Sequence, residues 1–311
     1  MPASASDPSK RRLVVTGAHG FVAGSVLSQA GADWQVHAVS RGEPMAGRDN
    51  LQWHSCDPLV PGELARLFHE VRPHAVIHTA AMADIDVCQA KQELARAVNI
   101  EFTRTLAKLC AESGARLVFC STDTIFDGEH APYGEDAAPG PVNFYAETKV
   151  AAEKLVSGLG AQGAIARLSL VVGLPVFGAG NSFLAKTIAS LKQGRAVAFP
   201  GHEVRTPVDV ITVGRALLEL AGGTQRGIFH LAGLTRLSRF EMGQTIARRF
   251  GFPQDLVKDQ GPATTPGRAP RPRDVSLDNR QTRAQLKTPM RTLDEGLSLI
   301  LESTNTLYAR A

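Results

Sequence analysis

Arg12-Leu-Val-Val-Thr16 is an apolar run that ends in Gly17-Ala-His-Gly20-Phe-Val-Ala-Gly24, across which Val22, Val26 and Ala30 take up helical spacing. A strand that turns through glycines straight into a helix leaves few folds open. Glycines at 17, 20 and 24 permit a tight turn and let backbone N–H groups and the helix N-terminus face a pyrophosphate. The same glycines also suit an ordinary strand-to-helix turn, so the elements around them decide between the two.

Those elements alternate. Residues 35–40, 51–55, 75–79, 116–121 and 164–169 read as further strands, and 62–71, 92–113 and 145–157 as helices between them. Alternation of this kind implies an α/β, Rossmann-type doubly wound parallel sheet. After about residue 170 the texture changes to Gly, Pro and polar clusters, which reads as a smaller substrate lobe. Residues 210–221 and 227–233 read as a helix and a strand returning to the main sheet. Ser238, with Glu241 three residues on, caps a helix at 238–250. The expected organisation is therefore a disordered tail (1–11), a nucleotide-binding domain (12–170, rejoined by 208–233) and an interleaved lobe (171–207 and 234–311).

Composition excludes several functions. At 43% hydrophobic content, 311 residues can bury a full core, yet no apolar stretch approaches the about 20 residues that span a bilayer. No membrane association is expected. The formal charge of +4 is thinly spread; Arg268-Ala-Pro-Arg-Pro-Arg273 is locally basic but has no aromatic platform, so no nucleic-acid partner is expected. Cys56, Cys88, Cys110 and Cys120 match neither a zinc nor a redox spacing and suit a reducing, cytoplasmic setting. His54, His69 and His74 lack a metal-ligand pattern and are expected at the surface, with no metal bound.

Ser40-Arg41 closes the second strand, where an NAD enzyme commonly carries an acidic residue for the ribose 2′-hydroxyl. A guanidinium there suits a 2′-phosphate and favours NADPH, unless Arg41 is only a solvated loop residue. His19 either assists the phosphate or points to water. Among three tyrosines, Tyr145 stands four residues before Lys149 in Asn143-Phe-Tyr-Ala-Glu-Thr-Lys149, which places both on one helix face. A free tyrosine titrates near about 10, so acid–base work near neutrality asks for roughly 4 kcal/mol of differential stabilisation, part of which an adjacent ammonium supplies. The bland alternative is a tyrosine packed on a lysine stem.

With these motifs the chain resembles the extended short-chain dehydrogenase/reductase family, in its dTDP-4-dehydrorhamnose reductase-like branch. The resemblance also rests on His78-Thr-Ala-Ala81, Asn99, Ser121-Thr-Asp-Thr-Ile-Phe-Asp-Gly128, Pro132-Tyr-Gly-Glu-Asp136, Arg205-Thr-Pro207 and Arg271-Pro-Arg-Asp-Val-Ser-Leu-Asp278. It implies that Thr122 holds the substrate carbonyl, Tyr145 donates the proton and Lys149 tunes it, with Asn99 supporting the lysine through water. Expected cofactor contacts are Gly17, His19, Gly20, Phe21, Val22, Gly24, Ser40, Arg41, Asp57, Ala80, Ala81, Asn99, Tyr145 and Lys149. Asp123, Asn181 and Arg205 are expected at the substrate.

Thr122-Asp123-Thr124 lacks the second carboxylate of the Thr-Asp-Glu triplet that sugar dehydratases use. Thr124 and Ser169-Leu-Val-Val172 also stand where the branch commonly carries aromatic residues. The expected function is an NADPH-dependent, homodimeric reductase of a keto group on a nucleotide-activated deoxysugar, pairing through residues 92–113 and 145–157. Two alternatives stay open: an NADP-binding regulatory subunit resembling the β subunit of methionine adenosyltransferase, and a nucleotide-sugar epimerase.

Overall fold

The computed structural model describes residues 10–45, 48–177, 181–261 and 268–308. Residues 1–9 of the expected tail lie outside the described residues. The first half runs β1 (Arg11–Thr16), α1 (Phe21–Gln29), β2 (Trp34–Ser40), β3 (Leu51–Ser55), α2 (Glu63–Val71), β4 (Ala75–His78), α3 (Ile85–Ala90), α4 (Gln92–Arg96), α5 (Phe102–Ser113), β5 (Arg116–Thr122), α6 (Phe144–Ser157) and β6 (Gly163–Leu168). The second half adds β7 (Val171–Val172), α7 (Phe183–Lys192), β8 (Val197–Phe199), β9 (Val204–Arg205), β10 (Val208–Asp209), α8 (Val210–Gly222), β11 (Gly227–Leu231), β12 (Leu237–Ser238), α9 (Arg239–Arg249), β13 (Val257–Asp259), α10 (Arg280–Gln285) and α11 (Leu293–Tyr308).

Seven strands form one parallel sheet in the order β11-β6-β5-β4-β1-β2-β3. Helices cover both faces, which is why β1 reads as an unbroken apolar run rather than an alternating one. Leu13 and Val15 pack with Val26 and Leu27 of α1 and with Val213 and Leu217 of α8. Val14, between them, points the other way and packs with Leu67 and Phe68 of α2 and Leu106 of α5. Each such fully buried side chain contributes about 1.5–3 kcal/mol.

The chain leaves β1 for β2 and β3, then crosses back to β4 on the other flank of β1. The strand order reverses there, and a crevice opens beyond the carboxyl ends of β1 and β4, where such sheets bind ligands. The smaller lobe packs α7, α9 and α11 around Leu184, Ile188, Met242, Ile246 and Leu297. Short pairs β7 with β10, β9 with β12 and β8 with β13 form three separate two-stranded sheets. Ser238 and Glu241 form the capping box that starts α9.

The stretch expected as one helix over 92–113 is interrupted by a π turn at Ala97–Glu101, between α4 and α5. Helices α3, α7 and α11 were not apparent in the sequence. Among the described residues, no helix is long and apolar enough to cross a membrane.

Candidate active site

An open cavity of about 460 Å³ occupies the crevice between β1 and β4. Gly17, His19, Gly20, Ser40, Arg41, Asp57, Ala80 and Ala81, all expected at a cofactor, line it. Val39, Cys56, Val98 and Phe102 are among the other lining residues, apolar positions that look like core in the sequence. Gly17 takes φ +69°, and a Cβ there would lie 2.7 Å from Ala80 Cα, so only glycine allows the loop this close to β4. Among the described residues no side chain caps the first turn of α1, which leaves its amides without a side-chain partner. Ser40 Oγ is buried without a hydrogen-bond partner among the described residues. These features fit a dinucleotide: a glycine cradle, helix amides for a pyrophosphate, and an unsatisfied hydroxyl with Arg41 at the far rim.

Phe21, Val22, Gly24, Asn99, Tyr145 and Lys149 do not line this cavity. Gly24 instead faces Phe177, and a Cβ there would stand 3.4 Å from Phe177 N, an ordinary contact distance. His19 lies 5.1 Å from the Trp53 ring, centroid to centroid, and bonds the Glu43 carbonyl through Nε2 at 3.0 Å.

Thr122, at the end of β5, is joined to Thr124 by two contacts: the Thr124 amide donates to Thr122 Oγ1 at 3.2 Å, and the two hydroxyls lie 3.0 Å apart. Tyr145 enters on α6, which Asn143 caps by accepting from the Ala146 amide. Burial pushes the Tyr145 phenol above its ordinary value, the neighbouring Asp123 adds to this, and the Thr122 hydroxyl, as hydrogen-bond partner, opposes it. The expected downward shift is therefore not what this geometry produces. The main reason is burial of the phenol, and the Lys149 ammonium is engaged elsewhere. Its Nζ donates to the Cys120 carbonyl at 2.6 Å and stands 4.0 Å from the Phe119 ring centroid, and burial lowers it to about 8. Tyr145 thus keeps its proton beside the Thr122 hydroxyl, as a weaker acid than a donor with a value near the working pH.

Asn99 sits in the π turn, a feature frequent at functional sites. Its side chain accepts from the Met82 amide at 2.8 Å and donates to the Met82 carbonyl at 3.1 Å and to Thr148 Oγ1 at 3.0 Å. These three bonds use both donors of the amide and one of the two acceptor sites on Oδ1, so Asn99 ties the loop after β4 to α6 directly.

Asp123 and Arg205 come together as a buried ion pair, Nε to Oδ2 3.6 Å, and Ser169 Oγ donates to the same carboxylate at 3.2 Å. Burial raises the Asp123 carboxyl, with Arg205 working against it. Glu203, also buried, binds Arg239 at 3.2 Å and Arg268 at 3.0 Å. Burial works to raise the Glu203 carboxyl, but Arg239, Arg205 and Arg268 together hold it below its ordinary value. Asn181 is exposed, receives Lys186 Nζ at 2.5 Å and is not brought to this cluster. Ser169 and Glu203 were missed because nothing local distinguishes them; their roles depend on partners far along the chain.

His54 is half-buried rather than at the surface, with Nε2 2.9 Å from His37 Nδ1, while His69 and His74 are exposed. All four cysteines are free and buried.

Residues 11–306 match the family model described as the RmlD substrate binding domain. The chain is 31% identical over 277 residues to methionine adenosyltransferase 2 subunit beta of Pongo abelii, covering 86% of this chain and 80% of that one. It is 30% identical over 297 residues to dTDP-4-dehydrorhamnose reductase of Mycobacterium tuberculosis, covering 93% and 92%. A crystal structure of dTDP-4-dehydrorhamnose reductase from Bacillus anthracis in complex with NADP matches with a TM-score of 0.85 at 23% identity, over 94% of this chain and 99% of that one, a likeness of fold. The glycine-lined crevice, the Thr122–Tyr145 pair on β5 and α6, and a family match spanning almost the whole chain agree, and the protein belongs to the RmlD-like branch of the extended short-chain dehydrogenases/reductases.

Proposed function

We propose that the chain is an NADPH-dependent reductase acting on a keto group of a nucleotide-activated deoxysugar. The observation that carries this reading is that Tyr145 and Lys149 lie buried on one face of α6, with the Tyr145 phenol in hydrogen-bond reach of the buried Thr122 hydroxyl at the end of β5, in a chain whose β1–β4 crevice is lined by glycines. NADPH, when bound, supplies hydride. Gly17, Gly20 and the first amides of α1 hold its pyrophosphate, and Arg41 with Ser40 takes the 2′-phosphate. Thr122 orients the substrate carbonyl by donating to its oxygen, and Tyr145 protonates that oxygen as negative charge develops on it. Lys149, on the Cys120 carbonyl, holds the inner wall behind the phenol. Arg205, Arg239 and Arg268, set against Asp123 and Glu203, leave one positive charge in excess for the substrate's diphosphate. The reading places the protein in the cytoplasm, as a homodimer formed through α4, α5 and α6.

Its test is a panel of nucleotide 4-keto sugars incubated with the purified protein while NADPH absorbance at the nicotinamide band is followed. Oxidation of NADPH with one member supports the reading. The 31% identity to a methionine adenosyltransferase β subunit favours a second reading, a regulatory subunit that binds NADP and acts through a partner. Tight NADP binding with no turnover across the panel would select it.

A further inference from the structure

His78 closes β4 and is 1% exposed, yet it neither lines the cavity nor touches the Thr122–Tyr145 pair. Both ring nitrogens are engaged: Nδ1 lies 2.7 Å from Thr16 Oγ1, and Nε2 lies 3.0 Å from Thr103 Oγ1. Chemistry sets the direction of each bond. Thr103 Oγ1 donates to the Asn99 carbonyl at 2.8 Å, an oxygen that can only accept. With its one hydrogen used there, Thr103 accepts from His78, so Nε2 carries the ring proton. Nδ1 must then accept, and Thr16 Oγ1 donates to it. Thr16 Oγ1 in turn accepts from the Ala80 amide at 3.5 Å.

The chain continues beyond Asn99. Asn99 Nδ2 donates to Thr148 Oγ1 at 3.0 Å, and Thr148 Oγ1 donates to the Tyr145 carbonyl at 2.7 Å. Hydrogens therefore point one way, from Thr16 and Ala80 in the cavity wall to the helix turn that carries Tyr145. Five elements are spanned (β1, β4, α5, the π turn and α6) with no opposed donor; the first hydrogen-bonded run ends on the Asn99 carbonyl and the second starts at the Asn99 side-chain amide, so Asn99 itself joins them covalently.

We propose that His78 is a positioning residue: a fixed Nε2–H imidazole that couples occupancy of the nucleotide cavity to the placement of Tyr145. Burial, with a contribution from Lys149, lowers the imidazole to about 3, so it stays neutral and the direction of the chain persists through the ordinary pH range. Part of the test rests on the dinucleotide reading of the cavity, and part does not.

Two-bond 1H–15N correlation spectra of histidine-labelled protein, from pH 8 to 5, should show His78 as an Nε2–H tautomer that does not titrate. An Nδ1–H tautomer or an imidazolium in that range overturns the proposal. Thr103→Val and Thr148→Val, both isosteric, cut the chain on either side of Asn99, and Thr148 does not line the cavity. Each should weaken NADP binding about threefold to tenfold, with the double variant no weaker than the poorer single one. Additive losses, or unchanged affinity in Thr148→Val, overturn the coupling. With 13Cζ-tyrosine labelling, Thr103→Val should also displace the Tyr145 resonance in cofactor-free protein; an unmoved resonance overturns the proposal. Wild-type protein that fails to bind NADP sinks the dinucleotide reading, and the tautomer and tyrosine spectra still decide the role of His78.

Discussion

Arg205 Nε stands 3.6 Å from Asp123 Oδ2, and both side chains are closed off from water. A buried carboxylate whose cation is removed keeps its desolvation penalty and loses its compensation, which costs about 3–5 kcal/mol. Arg205→Leu is therefore expected to lower unfolding stability by about that amount at pH 7. The sign with pH follows from Asp123, whose folded-state affinity for a proton is already raised by burial and rises further without Arg205. Protonation relieves the penalty, so the deficit should shrink as pH falls through the raised value. Urea titrations at pH 7 and pH 5 check this; a deficit that grows on acidification contradicts it.

Arg41 is exposed at the end of β2 and lines the cavity, with no ion pair among the described residues. A charge-assisted contact to a 2′-phosphate is worth about 1.5–3 kcal/mol. Arg41→Ala should weaken NADPH binding by roughly tenfold to a hundredfold and leave NADH binding nearly unchanged. Calorimetric titration of both proteins with both cofactors measures this, and equal wild-type affinities for NADPH and NADH would remove Arg41 from its role.

The parts of this site that were legible in the sequence are the parts built by neighbours. Gly17 and Gly20 belong to one turn, and Tyr145 and Lys149 to one helix face, so spacing alone reveals them. Lys149 shows the limit: helical spacing puts it beside Tyr145, but the Cys120 carbonyl and the Phe119 ring, both on β5, determine where its ammonium goes. The Asp123–Arg205 pair and the Glu203 cluster are set by the return of the chain through β9, which no periodicity encodes. The π turn was hidden for another reason. Asn99 carries a local helical pattern, whereas its three bonds to Met82 and Thr148, made within the widened turn, involve residues distant in the chain.

The His37–His54 pair under α2 predicts acid sensitivity. Burial, then His54 and Arg12, lower His37 to about 4, while burial lowers His54 and the nearby Glu70 opposes it. A histidine whose folded-state value lies below its unfolded value of about 6.5 stabilises the fold above that value, because only the unfolded chain takes up the proton on acidification. The His37 contribution should thus be full above pH 6.5 and fall between pH 6.5 and about 4, by at most about 1.4 kcal/mol per pH unit. His37→Gln should flatten this part of the profile. Thermal melts across pH 4–8 report it, and an identical slope in wild type and variant would exclude His37.

Tyr145→Phe removes one hydroxyl and leaves the ring in its cluster with Cys88, Ala95 and Phe144. The Thr148 bond to the Tyr145 carbonyl is a backbone contact and survives the change. Fold, melting temperature and NADP affinity should therefore stay near wild type. If the phenol protonates the developing alkoxide, kcat on the true substrate should fall by about 10²–10⁴-fold, the worth of a positioned acid. Thr122→Val should act in the same direction by deleting the hydrogen bond aimed at the carbonyl oxygen. Because the two hydroxyls serve one oxygen, the double variant should lose less than the product of the two single losses. Steady-state kinetics on the four proteins decides it: a Tyr145→Phe enzyme with wild-type turnover would show that the proton comes from elsewhere.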